Sequence, residues 1–387
     1  MNAVAPQQLP DLATVADEAR ARAEETEALR ALPQDLAEAM ARAGVFRMLV
    51  PACYGGLEVH PDCMIDALRA LGRADGATGW CAMIGATTGS LAASLPEPAA
   101  RELYQADPDV ITCGVTAPMG RATPVAGGWR VTGRWPFGSA SRNAAWICGG
   151  AMVLGDDGEP GRDADGNADI RLMIFPASAV TCHDNWHVSG LRGSGSGDIE
   201  VRDQFVPEEH CVVLGGRPRV DAPLFRFPTF GLLALGVASV SLGIGERALE
   251  ELVTLAGGKV PTGSRRTLAD RATVQVDAAR AEAGLRSARA FMGEAVDRAW
   301  EAAAAGERLS TAHRADLRLA AVNATWSAVD AVDRCYHAAG GSAIYSNSPL
   351  QRCFRDVHVT TQHVMVAQPV WELTGRVRLG MEVGGML

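Results

Sequence analysis

Four long helical runs close this chain, and no other feature limits its fold so strongly. Thr229 to Ala256, Thr267 to Gly306, Thr311 to Ala339 and Pro349 to Leu379 each read as helix. In the third, Leu317, Ala321, Ala324, Ala328, Val332 and Cys335 form an apolar stripe. Gly340-Gly341 would stop that helix, since glycine readily takes the left-handed conformation that ends one. Four helices with short connections favour an antiparallel bundle. Small residues from Gly231 to Gly245 allow close helix approach and also suit an oligomer interface. Aromatic residues are only 5% of the chain, so Ala, Val and Leu must fill most of the core.

Two regions of different character precede the bundle. Residues 1–112 read as helical. Thr14 to Arg30 is a charged, Ala-rich helix, and Pro33 starts another with Leu36, Met40 and Val45 near helical spacing. Gly44 ends it, a loop runs from Val50 to Gly56, and Asp62 to Arg73 and Gly79 to Ala93 are further helices. Residues 113–215 are dense in turn residues, with short strands such as GGWRVTGRW and DIRLMIFPA. Gly127-Gly128 reads as a hairpin turn, as does Gly155-Asp156-Asp157-Gly158, which opens a polar loop to Asp169. The expectation is an α+β protein: a helical domain (1–112), a small antiparallel β domain (113–215) and a bundle (216–387).

Composition excludes several function classes. The net charge is -9 with no long basic run, which argues against nucleic acid as a partner. The N-terminus MNAVAPQQLPD shows no signal-peptide pattern, and the apolar segment Phe230 to Val240 is too short for a membrane span. Nine cysteines without a C-x-x-C pair suit reduced thiols and a cytoplasmic location. His183 and His187 share i,i+4 spacing but lie in a β connection with no third ligand, so no metal is expected. The acidic run from Asp156 to Asp169 reads as a solvated loop, and the glycine spacing near Gly193 lacks the βαβ context of a dinucleotide site.

The helical–β–bundle order resembles the acyl-CoA dehydrogenase superfamily over nearly the whole chain. Val50-Pro51 with Tyr54-Gly55-Gly56, Gly190 to Ser196 with Val206-Pro207, Ala339-Gly340-Gly341 and Arg355-Asp356 all resemble its motifs, in the same order. The resemblance implies that fold, with a barrel-like β domain. Three of the superfamily's acyl-CoA features are missing. The stretch Thr116 to Thr123 lacks the expected Glu and Ser-Asp. The Arg that holds an FAD pyrophosphate aligns with Pro261, with Arg265 or Arg266 as substitutes. The catalytic Glu, eight residues after Asp356, is Val364. Other features resemble the two-component flavin-dependent hydroxylases of the same fold: Gly133-Arg134-Trp135-Pro136-Phe137-Gly138-Ser139-Ala140, Arg192 to Ser196, and Gly340 through Pro349 to His363. One departure is that the helix after Trp80 lacks a His found in some of them.

That resemblance implies an oxygenase component that takes reduced flavin, FMN or FAD, from a separate NAD(P)H:flavin reductase. It would react the flavin with O2 to a C4a-hydroperoxide and hydroxylate an aromatic or heteroaromatic small molecule. It implies a catalytic role for Ser139, which would accept from flavin N5, and cofactor contacts for Trp135, Phe137, Arg192, Ser194, Ser196, Gly340 and Gly341. Trp80, Ile84 and Thr88 would line the substrate pocket, and the bundle implies a homotetramer. His363 is the second catalytic candidate, as a base toward a phenol or indole N–H or as an acid toward the leaving oxygen. On a continuous helix it would share a face with Asp356, Val359 and Ala367. Asp356 would lie about 10 Å away and serve as a cap or an Arg partner, and His358 reads as structural. Alternatives are an acyl-CoA dehydrogenase with a relocated base (Glu372 is the nearest later carboxylate), an amine N-hydroxylase, and a non-catalytic binding protein.

Overall fold

The computed structural model describes residues 9, 11–155, 157–162, 166–213 and 215–383. The polar-loop positions Asp156 and 163–165, and most of the N-terminal segment assessed for a signal peptide, lie outside them. The helices are α1 (Leu12–Ala21), α2 (Ala23–Leu29), α3 (Gln34–Arg42), α4 (Pro61–Ala74), α5 (Gly76–Gly89) and α6 (Glu97–Ala100), then α7 (Thr229–Gly258), α8 (Ala272–Ala304), α9 (Thr311–Ala339), α10 (Pro349–Thr360) and α11 (Pro369–Arg378). Between the two sets run β1 (Thr112–Val125), β2 (Gly128–Trp135), β3 (Trp146–Val153), β4 (Ile170–Pro176), β5 (Thr181–Cys182), β6 (Ile199–Pro207) and β7 (Cys211–Val213). The helical, β and bundle regions therefore follow each other as the sequence implies.

The sheet corrects the antiparallel expectation. Its seven strands run in the order β5-β6-β2-β1-β3-β4-β7, with β5 and β7 at its two ends, and β1 pairs with β3 in parallel. The Gly127 turn returns β2 antiparallel to β1 on one side. The connection 136–145 then carries the chain across to the other side of β1, and a crossing of that kind makes a parallel pair. Pro118 sits inside β1, and the β1–β3 register slips between Val115 and Pro118 and again before Gly120. Proline cannot donate to a ladder, so the strand bulges there, at Thr116 and Ala117.

Trp135 anchors the sheet. It is fully buried, and its Nε1–H donates to the Gly150 carbonyl at 2.7 Å. Gly120, Gly133 and Gly149, on three adjacent strands, make the slot for its indole: a Cβ on any of them would lie within 2.7 Å of the ring. Trp135 is therefore core and not a cofactor contact.

In the bundle, α7 packs on α4, α8, α9 and α10. Gly72 of α4 and Gly243 of α7 face each other's backbones so closely that a Cβ on Gly243 would meet the Arg69 carbonyl. The small residues of α7 thus serve contacts inside the protein rather than an oligomer interface. Length and apolarity would let α7 cross a membrane, but most of its apolar window is buried in the protein.

Two helices are shorter than the sequence suggests. The first run divides at Arg22 into α1 and α2. The last run is interrupted from Thr361 to Gln368. The Thr360 and Thr361 hydroxyls bond back to the carbonyls of Val357 (2.7 Å) and His358 (2.6 Å), offering those groups an alternative to the helical ladder. Pro369 then starts α11, where its missing N–H is harmless. His363 lies on this interruption and not on a helix face.

Candidate active site

The N-terminal helices, the sheet and the bundle meet around a cavity of about 390 Å³, a size that suits a small ligand. α5 supplies Trp80, Ile84, Thr87 and Thr88, and the β1 bulge supplies Thr116 and Ala117. The start of α7 supplies Phe230, and the turn after α10 supplies Gln362, His363 and Val364. Asp75 starts α5 by capping it, accepting from the Thr78 N–H at 2.8 Å, so this helix presents its residues from a fixed end.

Three serines form the polar edge. Ser139 and Ser196 hydroxyls stand 2.6 Å apart, and Ser196 and Ser194 2.7 Å apart. Ser194 donates to the Leu191 carbonyl at 2.7 Å, and the Trp80 indole N–H donates to Ser139 at 3.1 Å. These contacts fix the direction of every proton. A carbonyl can only accept, so the Ser194 proton is committed to Leu191. Ser196 must then donate to Ser194, and Ser139 to Ser196. Ser139 is left with an open lone pair and no proton to give.

Local strain holds this edge. Phe137, Ala140 and Leu191 have φ of 67°, 60° and 49°, left-handed values that each cost a non-glycine residue about 1–2 kcal/mol. Ala140 N–H donates to the Ser194 carbonyl and Gly138 N–H to Gly197, tying the two turns together. The Leu191 N–H donates to Asp356 Oδ1 at 2.6 Å. Asp356 therefore caps the serine loop, and no ion pair joins it to an Arg among the described residues. Burial, with the charge of Asp75 nearby, pushes its carboxyl up to about 7.

His363 borders the cavity edge-on to Trp80, with ring centroids 5.6 Å apart. Its Nδ1 accepts the Met365 N–H at 3.3 Å, so the neutral ring carries its proton on Nε2. Burial, then the positive charge of Arg318, push its pKa down to about 4. Arg318 sits behind the Met365 backbone, where its Nη2 donates to the Met365 carbonyl at 3.3 Å. Val364 is 61% exposed on the cavity rim.

The structure gathers Trp80, Ile84, Thr88, Phe137, Ser139, Ser194, Ser196 and His363 around one cavity. It does not bring in the other candidates. Trp135 is core. Arg192 is exposed and pairs with Glu27 at 3.5 Å, because its turn points it outward. Gly340 and Gly341 are exposed at the end of α9, away from the cavity lining, since α9 stops there and leads outward. Arg265 and Arg266 lie in the exposed loop before α8. His358 holds Asp333 at 2.9 Å, and His183 holds Glu200 at 2.8 Å. Sequence reasoning missed Trp186, Thr116, Ala117, Phe230 and Gln362 as lining residues. Pro118 inside a strand was the available signal for the Thr116–Ala117 bulge.

The cavity fits the isoalloxazine of a reduced flavin. Phe137, 66% exposed with its ring edge-on to Trp186, offers an apolar wall, and Ser139 offers an acceptor without a competing proton. An apolar cleft with one acceptor edge is what a flat ring bearing an N–H requires.

Comparison with known proteins agrees. The acyl-CoA dehydrogenase N-terminal domain model matches residues 12–102 and the C-terminal domain model residues 235–368. Indole-3-acetate monooxygenase of Pseudomonas putida is 36% identical over 94% of this chain and 91% of its own length. The oxygenase component of the FADH2-dependent resorcinol hydroxylase of Rhizobium sp. is 29% identical over 97% of this chain and 94% of its own. The crystal structure of 3-HSA hydroxylase from Rhodococcus sp. RHA1 superposes with a TM-score of 0.90, at 27% identity, covering 97% of each chain. The chain belongs to the acyl-CoA dehydrogenase family. Within it, the protein is a flavin-dependent monooxygenase, an oxidoreductase that uses reduced flavin and O2.

Proposed function

We propose that this protein is the oxygenase component of a two-component system that hydroxylates an aromatic or heteroaromatic small molecule. A separate NAD(P)H:flavin reductase supplies its reduced flavin, which is FAD by analogy with the FADH2-dependent resorcinol hydroxylase. The observation that carries the reading is the Ser139 acceptor beside a neutral His363 in one apolar cavity.

Reduced flavin, when bound, would supply the two electrons that activate O2, one atom of which goes to the substrate and the other to water. The chain's own residues do the rest. Ser139 would hold the flavin N5–H and keep its proton in place. The apolar lining excludes water, which would otherwise divert oxygen to H2O2. His363 is neutral at pH 7, and its Nε2–H donates to the substrate or to the departing oxygen. A pKa of about 4 makes it a poor base at neutral pH, which favours the donor role over the base role. Among the described residues no carboxylate lines the cavity to serve a dehydrogenase, and Glu372 is not part of its lining.

The test is oxygen consumption and hydroxylated product with enzymatically reduced FAD. His363→Ala should lower product by about 10²-fold or more, the scale on which loss of one preorganised hydrogen-bond donor falls. Wild-type kcat/KM should stay flat from pH 8 down to pH 6, because the group titrates lower. An acid limb near pH 6.5, abolished by His363→Ala, would mean a charged imidazole is reached and would refute the donor assignment.

We further propose a homotetramer. Ile344 and Tyr345, 66% and 65% exposed beside Gly340-Gly341, support this segment as a subunit contact. A cytoplasmic setting fits the nine cysteines, all free thiols.

A further inference from the structure

Resting on the donor reading of His363, we infer that Arg318 is its positioning residue. From behind the cavity wall it holds the imidazole with its proton on Nε2. The wall is thin: Val364 and Met365 line the active-site cavity on one side and a second hollow on the other. Arg318 of α9 lines that second hollow and is only 2% exposed. The interruption after α10 takes the Met365 and Val366 carbonyls out of the helical ladder, and α9 takes them up. Arg318 Nη2 donates to the Met365 carbonyl at 3.3 Å, and Trp326 Nε1 donates to that of Val366 at 3.2 Å. The next contact inward is the Met365 N–H, which donates to His363 Nδ1 at 3.3 Å. With its carbonyl gripped, Met365 keeps that N–H aimed, and the one proton of the neutral ring stays on Nε2.

Packing alone does not call for a cation at this place. An aliphatic side chain would fill the space without the cost of burying a charge. Burial lowers the Arg318 pKa only to about 10, so its charge is present at neutral pH. Burial already disfavours a charged imidazole at His363, and the Arg318 cation opposes it further. The start of α7 acts in the same direction. Its first turn has no side-chain cap, and Thr229 and Phe230 bring that positive helix end to the cavity. The other titratable group on the lining is Cys148, whose thiol burial pushes up to about 12, so it carries no charge. No carboxylate lines the cavity among the described residues to offset these effects. Glu372 and Arg376 of α11 share the hollow with Arg318, beyond the wall.

Isotope-labelled histidine reads the ring directly by NMR in the full-length protein, with His363→Ala identifying the signal. The wild-type ring shifts should show an Nε2–H ring, and a midpoint at about 4 leaves about a tenth of the rings charged at pH 5. Arg318→Gln keeps an N–H donor and removes the charge. Its midpoint should rise by about one pH unit, the scale of one partly buried charge, so that about half the rings are charged at pH 5. Arg318→Lys restores the charge and should bring the midpoint back. With indole as substrate and reduced FAD, Arg318→Gln should lose about half its pH 8 kcat/KM by pH 5, where the wild type loses about a tenth. A merely structural Arg318 would lower turnover equally at every pH and leave the midpoint in place. An Nδ1–H ring in the wild type, read without any variant, or an unmoved midpoint in folded Arg318→Gln would overturn the inference. A midpoint that moves while indole turnover does not follow would uphold the role of Arg318 and count instead against His363 as the donor.

Discussion

Trp80 does two jobs with one ring. Its face packs near His363, and its N–H is the first donor in the chain of hydroxyls that ends at Leu191. Trp80→Phe keeps most of the packing and removes only the donor. Ser139 then loses one partner, a hydrogen bond worth about 0.5–1.5 kcal/mol, so several-fold more oxygen should escape as H2O2 per product formed. Peroxide yield measured against product checks this, and unchanged coupling would show that Ser139 does not need the indole. Residues of this kind were legible because the motif resemblance named them. Trp135 was not read correctly, for a specific reason. Trp135 and Phe137 are two apart and would share a face on a strand. β2 ends at Trp135, however, and the left-handed Phe137 turns its own ring outward, so one ring is buried and the other meets the cavity.

At the scale of elements, the serine loop depends on a helix distant in sequence. Asp356 of α10 holds the Leu191 N–H, and its folded-state pKa is raised from the usual carboxylate value to about 7. The folded state therefore binds a proton more tightly than the unfolded chain, and this group's contribution to stability is lost as pH rises from about 4 to about 7. Asp356→Asn keeps an acceptor and sheds the charge. Its stability relative to wild type should improve across that window and level off above it, as read by urea denaturation at several pH values. Asp356→Ala should destabilise by about 1–3 kcal/mol at low pH, because Leu191 loses its partner, and the deficit should shrink as pH rises toward about 7. A pH-independent difference for Asp356→Asn would show that the carboxyl is not the titrating group. Sequence periodicity suggested one helix across this region. It could not show that Thr360 and Thr361 would turn their hydroxyls back on the backbone and leave His363 on a turn.

At the scale of the whole molecule, no single region makes the site. α5, the β1 bulge, the turns at 137–141 and 190–196, the start of α7 and the turn after α10 each contribute. The order of the three regions was readable from helix length and turn density. The parallel β1–β3 pairing was not, since it depends on where a ten-residue connection crosses the sheet and not on any strand's own pattern. The proposed tetramer belongs at this scale too. Light scattering should give the mass of four chains, and Tyr345→Asp should shift the population toward smaller species, because a charge would be buried at the contact. An unchanged tetramer in that variant would place the interface elsewhere.

The directed hydroxyl chain has a redox consequence. Ser139 can receive a hydrogen and cannot give one. A reduced flavin offers a hydrogen at N5, whereas the oxidised ring offers only a lone pair there, and two lone pairs repel. The same serine that would grip the incoming cofactor would therefore loosen its hold once the cofactor is spent. Exchange of used flavin for fresh would then be driven by the position of one proton, with no moving part.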